Sequence, residues 1–465
     1  LTRELSDVAV PALPRVEAEE VVLEGRGFSS AHVLLSAYER TIENFFLAWQ
    51  YHFEMLNLGY AAYLNLFEFC GQAFPGVTDE TVAQMVAGTD LLFFRPEDEL
   101  KHLARLALHL GVGGAIRREG SMNEVEERLR ETTQGKTWLE AFDASKDPWF
   151  YFSNSTGFYH HHRSWIDDLN VPLASIRRFM SCIEAGDVLE RPTAEILERR
   201  ERMASEYRSF LTSEADQEAF DENLALARKV AGFIEDHNFF IEHRFHTIFW
   251  NKIREFGGRL VEADFLADPE DIFYLNRWEV AQALYEMVAT WASGGPARGP
   301  RYWPPLVEHR RGILDALRTW SPPATLGPVP EHITEPLTVV LCGITKARVD
   351  RWSRAQPGDR EIRGVAASPG VAEGLARVVL NVDDLASVQE GEILVSPVTA
   401  PSWGIVFERV RAAVSDSGGV MSHAAIVSRE YGLPAVAGTG VATKLIRTGD
   451  RIRVDGSVGT VEILD

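Results

Sequence analysis

With 465 residues, the chain is long enough for two or three domains with ample core. Its 68 Asp and Glu against 47 Lys and Arg leave a net charge of −21, which argues against a nucleic-acid partner and fits a soluble, cytoplasmic protein. Cys70, Cys182 and Cys342 are odd in number and lack metal-ligand spacing; a reducing compartment suits them, and no metal site is expected.

The first stretch, Leu1 to Phe28, carries Pro11 and Pro14 and reads as an extended lead-in without a signal peptide. Ser29 or Ser30 then caps a long helix that runs through Ala37–Ile42 into Trp49–Glu54. Gly59 is a possible interruption, and Gly71 with Pro75-Gly76 marks the end. The apolar run from Phe45 to Phe69 is broken by Gln50, His52, Glu54, Asn57 and Glu68, too polar for a membrane span. His52 sits in this surround either as a hydrogen-bonded core histidine or as a pocket ligand. Pro96-Glu97-Asp98 opens another helix. Two glycine-rich stretches imitate phosphate loops. Gly111-Val112-Gly113-Gly114 lacks the third glycine, and Gly135-Lys136-Thr137 has Arg130 where the first glycine belongs, so neither is read as a nucleotide site.

Trp149 to Asp168 mixes aromatics, histidines and Gly157 without a helical period, and reads as a structured loop, the kind of segment that carries ligand contacts. His160 and His162 converge if the chain is extended there, which leaves a metal pair, a pocket lining with Arg163, or plain surface as readings. Thr193 to Leu260 is predicted as long helix, with Phe220, Leu224, Ala227, Ala231 and Ile234 as its apolar stripe. Continued at the same period, His237, Ile241 and Arg244 share one face, and His243, His246 and Trp250 another. A shared pocket and an interhelical polar contact are both open. Gly294–Pro305 and Trp320–Pro336 read as loops, and Lys346–Arg363, charged and holding Pro357-Gly358, as a solvated linker.

The C-terminal part is the most informative. Val410, Ala412 and Val414 alternate as a strand, Gly418-Gly419 breaks it, Ser422 caps a short helix, and Gly432 with Pro434 ends that helix. His423 therefore falls in the first turn, beside backbone N–H groups that have no partner within the helix. The positive helix end disfavours a second positive charge, so a neutral, nucleophilic imidazole is expected, and the same end favours an anion. A histidine that accepts a phosphoryl group needs both properties. Asp455-Gly456 between apolar runs predicts a closing hairpin.

The segment GGVMSHAAIVSREYGLPAVAGT resembles the phosphohistidine signature of the phosphoenolpyruvate-utilising enzymes. The similarity extends upstream through Ser396-Pro397-Val398-Thr399-Ala400-Pro401-Ser402-Trp403 and downstream to Val461, covering about Ile362 to Leu464. It implies a C-terminal α/β swivelling domain with His423 as the phosphorylated residue. Thr399 and Ser422 match polar residues near the histidine, and Gly418 and Gly419 match the phosphate-side glycines. Asp268-Pro269-Glu270-Asp271-Ile272-Phe273-Tyr274-Leu275 is similar to a segment ahead of that domain in the rifampicin-phosphotransferase and phenylphosphate-synthase branch. So, less specifically, are Trp49–Tyr60 and Gly88-Thr89-Asp90.

The expected fold class is thus multidomain. An extended lead-in (1–28) is followed by a mostly α-helical substrate domain (29–345), a linker (346–363) and the swivelling domain (364–465). Neither an ATP-grasp module nor a C-terminal barrel is legible, so the resemblance implies a two-component dikinase. A separate ATP-grasp subunit would bind ATP and Mg2+ and phosphorylate His423, and the domain would then pass phosphate to a small aromatic hydroxyl compound, as in aromatic catabolism. His52, His160, His162, His237 and His243 are candidate bases for that hydroxyl, and Arg163 and Arg244 candidate partners of the transferring group. The alternatives are a phosphoenolpyruvate-dependent phosphocarrier, an antibiotic phosphotransferase component, and an inactivated homologue kept as a scaffold.

Overall fold

The computed structural model describes residues 28–320, 325–380, 382–399 and 403–464. They fall into two compact units, one of residues 28–54, 158–161 and 240–320, the other of 55–157, 162–239 and 325–464. The predicted lead-in lies outside the described residues, apart from Phe28, which already opens the first helix.

The helices of eight residues or more are α1 (Phe28–Ala73), α2 (Arg95–His109), α3 (Met122–Leu129), α4 (Thr133–Lys146), α5 (Asn170–Ala185), α6 (Thr193–Ser209), α7 (Glu214–Asn238), α8 (His246–Glu262), α9 (Arg277–Ser293), α10 (Gly299–Arg318) and α11 (His423–Glu430). Among the described residues no helix is long and apolar enough to cross a membrane. Gly59 does not interrupt α1. A single mid-helix glycine costs only about 1 kcal/mol, and the adjacent Tyr60, Ala62, Tyr63 and Leu66 are buried. The long helix expected over 193–260 is instead three helices. Ser213 starts α7 by accepting from Asp216 N–H at 3.0 Å, and a π-helical stretch, Phe239–Phe245, separates α7 from α8. That π turn invalidates a constant 100° step, so the faces predicted for His237 to Trp250 do not hold. Residues 294–305 are not all loop either. Pro300 lies in the first turn of α10, where a missing N–H costs nothing, and buried Trp303 anchors the helix despite Pro304 and Pro305.

In the first unit α8 lies tight against the 3₁₀ turn Pro269–Tyr274, where a Cβ on Gly257 would come within 2.3 Å of Pro269 O. Tyr38 meets Phe256 edge-on at 5.4 Å and donates to Arg277 O at 3.0 Å.

The second unit joins the C-terminal part of α1, α2 to α7 and α11 to an eight-stranded sheet. The strands are β1 (Glu361–Arg363), β2 (Val365–Ser368), β3 (Val371–Val378), β4 (Ile393–Ser396), β5 (Ala412–Ser415), β6 (Ala435–Ala437), β7 (Arg451–Asp455) and β8 (Thr460–Ile463), in the order β1-β8-β7-β3-β4-β5-β6-β2. The pairs β3–β4, β4–β5 and β5–β6 are parallel, and the rest antiparallel. The expected hairpin is β7–β8. Alternation decides which residue enters which core: Leu394, Ala413, Ala435 and Ala437 pack with Trp403, Phe407 and Val427. Ile393, Val395, Ala412, Val414 and Val436 pack with Ile446, Ile452 and Val461. Both faces are covered, so the central strands read as continuous apolar runs. The expected class, helical N-terminal part plus α/β C-terminal domain, is what is found.

Several local expectations resolve here. Gly135 N–H donates to the capping Thr132 hydroxyl at 2.9 Å, and a Cβ on Gly135 would fall 2.0 Å from Leu129 O. That stretch is therefore a capped, tightly packed helix start. Lys346–Trp352, expected within an open linker, forms a helix capped by Thr345, and a Cβ on Gly440 would lie 2.5 Å from the Trp352 ring. The stripe Phe220, Leu224, Ala227 and Ala231 is buried against Tyr63, Val420 and Met421, as its period predicts; the Ile234 side chain lies outside the described ones.

The contact between Gly419 and Val340 generates a prediction. A Cβ at Gly419 would lie 2.0 Å from Val340 O, whereas one at Gly312 meets nothing within 4 Å. Gly419→Ala should therefore lower the thermal midpoint by several degrees, a cost on the order of 2 kcal/mol or more, while Gly312→Ala leaves it level or raised. Differential scanning calorimetry of the two variants checks this.

Candidate functional site

The site forms where the parallel strands β4 and β5 end. The loops that follow are stitched together: Asp416 N–H donates to Ser396 O at 3.0 Å and Ser417 N–H to Pro397 O at 2.9 Å. Ligands in open α/β sheets bind at this kind of edge, the carboxyl end of parallel strands. The Asp416 carboxylate braces the next turn, accepting from Thr439 Oγ1 at 2.8 Å and Ala442 N–H at 2.6 Å. Ser422 then caps α11, its hydroxyl accepting from Ala425 N–H at 3.4 Å, and His423 is the first helical residue.

Gly418 and Gly419 have separate reasons to be glycine. Gly418 has φ +121°, and a Cβ there would lie 2.6 Å from Ser422 Oγ. Gly419 N–H donates to Leu341 O at 2.7 Å and Met421 N–H to Val340 O at 3.2 Å. In this conformation the glycine pair is a seat for residues 340–343, and a phosphate-binding role for Gly419 N–H requires that contact to open.

The imidazole of His423 is largely buried, with 18% of its side chain exposed. Phe93 meets it edge-on at 5.7 Å. Glu235 Oε2 on α7 lies 3.8 Å from Nδ1, within ion-pair range but too long for a hydrogen bond. Neither ring nitrogen has a hydrogen-bond partner among the described residues. Thr399, in the loop after β4, is buried, and its hydroxyl has no partner among the described residues.

Glu235 also lines a narrow cleft, with Tyr63, Thr89, Leu91, Arg429 and Glu430 among the other walls. Arg429 is buried and donates to Ala367 O at 2.7 Å and Val420 O at 3.0 Å. Burial pulls its pKa down, and the nearby Tyr63, Glu80, Glu430 and Glu235 offset this. Burial raises the Glu430 carboxyl, which accepts from Gly88 N–H at 2.6 Å. Beside Glu235, Asp236 accepts from Leu92 N–H at 2.7 Å and is pushed up to about 6, chiefly by burial. The cleft thus offers more carboxylate than guanidinium, and suits an uncharged ligand better than an anion.

The remaining sequence candidates are divided between the units. In the first, His52 Nε2 lies 3.8 Å from Glu242 Oε1 and its ring meets Trp49 at 4.8 Å. Trp49 approaches Phe158 at 5.8 Å and His246 at 5.5 Å. His160 stacks on Phe273 at 4.0 Å, and its carbonyl accepts from Arg254. His243 is buried in the π-helical stretch, with Arg244 half-buried beside it. In the second unit His162 Nδ1 pairs with Thr156 Oγ1 at 3.2 Å, Arg163 is exposed, and His237 Nδ1 pairs with Phe233 O at 2.9 Å. Sequence reading passed over Glu235, Asp236 and Phe93; only the acidic pair Glu235-Asp236 at the end of an apolar stripe offered a signal. Among the described residues no group of three or more His, Cys, Asp or Glu could hold a metal ion.

The site is thus a first-turn histidine beyond the end of a parallel strand, capped by serine after two glycines. Comparison with known proteins agrees: residues 388–459 match the family described as "PEP-utilising enzyme, mobile domain". The chain is 28% identical over 461 residues to chondramide synthase of Chondromyces crocatus, covering 97% of this chain and 11% of that protein. It is 33% identical over 293 residues to rifampicin phosphotransferase of a Streptomyces species, 63% of this chain and 29% of that one. It is 48% identical over 125 residues to phosphoenolpyruvate synthase of Aeropyrum pernix, 24% of this chain and 15% of that one. The chain spans 11% to 39% of the length of these and similar curated relatives.

Asp236 sets a pH dependence. Its carboxyl is raised from 3.8 to about 6, so the folded state holds the proton more tightly than the unfolded one. The associated stability is present below pH ~4 and is lost as pH rises through ~6, a total on the order of 3 kcal/mol. Asp236→Asn, which keeps an acceptor for Leu92 N–H, should flatten the melting profile between pH 4 and 6 and melt higher than wild type at pH 7. Thermal melts across that range measure both.

Proposed function

We propose that this chain is the carrier and acceptor component of a phosphotransferase that works through phosphohistidine at His423. The observation that carries the reading is His423 itself: a first-turn imidazole with both nitrogens unpartnered, facing the Glu235 carboxylate at the edge of a cleft, in a mobile domain of the phosphoenolpyruvate-utilising family. For this purpose residues 29–345 are the acceptor part, 346–363 the connection and 364–465 the carrier.

Glu235 faces Nδ1, so it favours the tautomer with the proton on Nδ1 and leaves Nε2 as the nucleophile. The phosphoryl donor is ATP with Mg2+, held by an ATP-grasp module on a partner chain. The residues described here do not suit it, because Gly135-Lys136-Thr137 is a packed helix start and no three-donor cluster is present among them. The β-phosphoryl goes to His423, and AMP and inorganic phosphate leave with consumption of one water. In the second step the N–P bond breaks, an O–P bond to the acceptor oxygen forms, and the hydroxyl proton passes to a carboxylate. We assign that proton to Glu235, since His237 and His162 are engaged with Phe233 O and Thr156. Thr399 and Ser422 lie on the two loops that meet at the site and are assigned to the phosphoryl oxygens.

The acceptor is a small aromatic alcohol. Its charge state follows from the cleft's carboxylates, and its aromatic character from Tyr63 in the cleft wall and from Phe93 beside His423. A phenol needs only a modest base. The reaction belongs in the cytoplasm, where ATP is supplied. A second reading, transfer to a larger antibiotic-like hydroxyl compound, is favoured by one observation, the 293-residue similarity to a rifampicin phosphotransferase.

His423→Ala should abolish acid-labile phosphate on the chain, and although loss of a largely buried ring packed on Phe93 costs on the order of 1–3 kcal/mol, the variant should still melt cooperatively. Labelling with [β-32P]ATP and the partner tests this, and equal labelling of the variant contradicts it. Glu235→Gln should slow AMP release driven by phenols or hydroxyacetophenones by about 10²-fold or more. In that panel, turnover with pyruvate alone would refute the aromatic acceptor, and turnover only with a macrocyclic antibiotic would favour the second reading.

A further inference from the structure

The far end of α11 carries a second polar contact, which the phosphoryl chemistry does not use. Lys101 on α2 is 3% exposed, and its Nζ lies 2.6 Å from Glu97 Oε1 and 2.6 Å from Glu408 Oε1 while donating to Leu189 O at 2.8 Å. Tyr431, the C-cap of α11, donates to Glu97 Oε2 at 3.1 Å. Glu408 and Tyr431 belong to the carrier domain, Glu97 and Lys101 to the helices. The approach is close: a Cβ on Gly404 would lie 2.5 Å from Glu97 Oε2 and 3.2 Å from the Tyr431 hydroxyl.

We propose that Glu97, Lys101, Glu408 and Tyr431 form a proton-linked latch, in which docking of the carrier domain on α2 takes one proton from solvent onto the Glu97–Glu408 carboxyl pair and undocking releases it. The proposal rests on the reading above in that it requires the carrier to move. Its basis is a charge count in a buried place. Two carboxylates share one ammonium, and Glu408 Oε2 is buried without a hydrogen-bond partner among the described residues. The other charged groups nearby are committed elsewhere. Arg191 lies over the Phe94 ring at 3.5 Å and 3.7 Å from Asp98, Arg409 donates to Val388 O, and Arg178 lies over Phe179 at 6.0 Å. Cys182, on the same helix as Arg178, is a thiol that burial keeps protonated. One excess negative charge therefore remains, and a shared proton removes it at far lower cost than an unpaired buried carboxylate.

Burial, with Glu97 beside it, raises Glu408 from 4.5 to about 8 in the docked state. Undocked, the same carboxyl is solvated and returns to its ordinary range. The docked form then holds one proton more than the undocked form between pH ~4.5 and ~8. Across that window the docking constant falls up to tenfold per pH unit, and it levels off above.

The test is hydrogen–deuterium exchange of the full chain at pH 6, 7 and 8, corrected for intrinsic rates, following peptides over residues 418–432. These include the Gly419 and Met421 amides bonded to Leu341 O and Val340 O. Wild type should lose protection there by about 10- to 100-fold from pH 6 to 8. Glu408→Gln, which holds the neutral state at the same shape, should stay within about threefold, and so should Glu97→Gln, an independent variant should the first fold poorly. A wild-type profile that is flat, or variants that follow the wild-type profile, overturns the latch. Failure of His423 to accept phosphate, measured separately, would count against the carrier reading and not against this one.

Discussion

The turn from Ser417 to Ser422 is the constraint on which the second unit depends. It has to leave β5, reverse without a side chain at Gly418 and Gly419, lay two amides on the 340–341 carbonyls, and present a serine for the cap of α11. Any Cβ at Gly419 would collide with a backbone oxygen, which cannot move like a side chain end. The direction of the His423 ring follows from that turn. Its backing comes from Val420 and Met421, packed into the core that α1 and α7 build around Tyr63, Phe220 and Ala231.

Two acids on successive residues of α7 then give the site its polarity. Glu235 faces the imidazole, while Asp236 turns to Leu92 N–H and carries a raised pKa. With Arg429 engaged by two carbonyls and Glu430 by Gly88 N–H, the cleft walls are fixed by hydrogen bonds to backbone, so their charges have little freedom to rearrange around a ligand. At the other end of α11 the Lys101 cluster repeats the theme of excess carboxylate. Both ends of the helix that carries His423 are thus sensitive to protons, through different groups.

What was legible in the sequence is what is local. The Ser422 cap, the strand before it, the glycine pair and the hairpin around Asp455-Gly456 are each set by neighbours a few residues away, and all appear where the pattern put them. The stripe Phe220, Leu224, Ala227 and Ala231 was legible for the same reason. Glu235 was not, because its meeting with His423 depends on how α7 packs on the carrier, and no periodicity records that. The histidines of Phe239–His246 were misplaced by the π turn, whose extra residue per turn leaves no mark in an apolar pattern. The intrinsic preferences of Gly59, Pro304 and Pro305 favour a break, and buried neighbours such as Tyr60, Tyr63 and Trp303 override them. Lys346–Trp352 looked solvated by composition, yet Thr345 caps it and Trp352 holds it against Gly440.

The central claim concerns one atom. Glu235 stands on the Nδ1 side of His423 at 3.8 Å, which on the proposed reading leaves Nε2 to accept the phosphoryl group. Phosphorus-31 NMR of the full chain, phosphorylated by its partner with ATP and kept alkaline, distinguishes the two phosphohistidine isomers. The account predicts a single Nε2-phosphohistidine resonance that is absent from His423→Ala. An Nδ1-phosphohistidine resonance, or a phosphoryl signal that survives in His423→Ala, would contradict it.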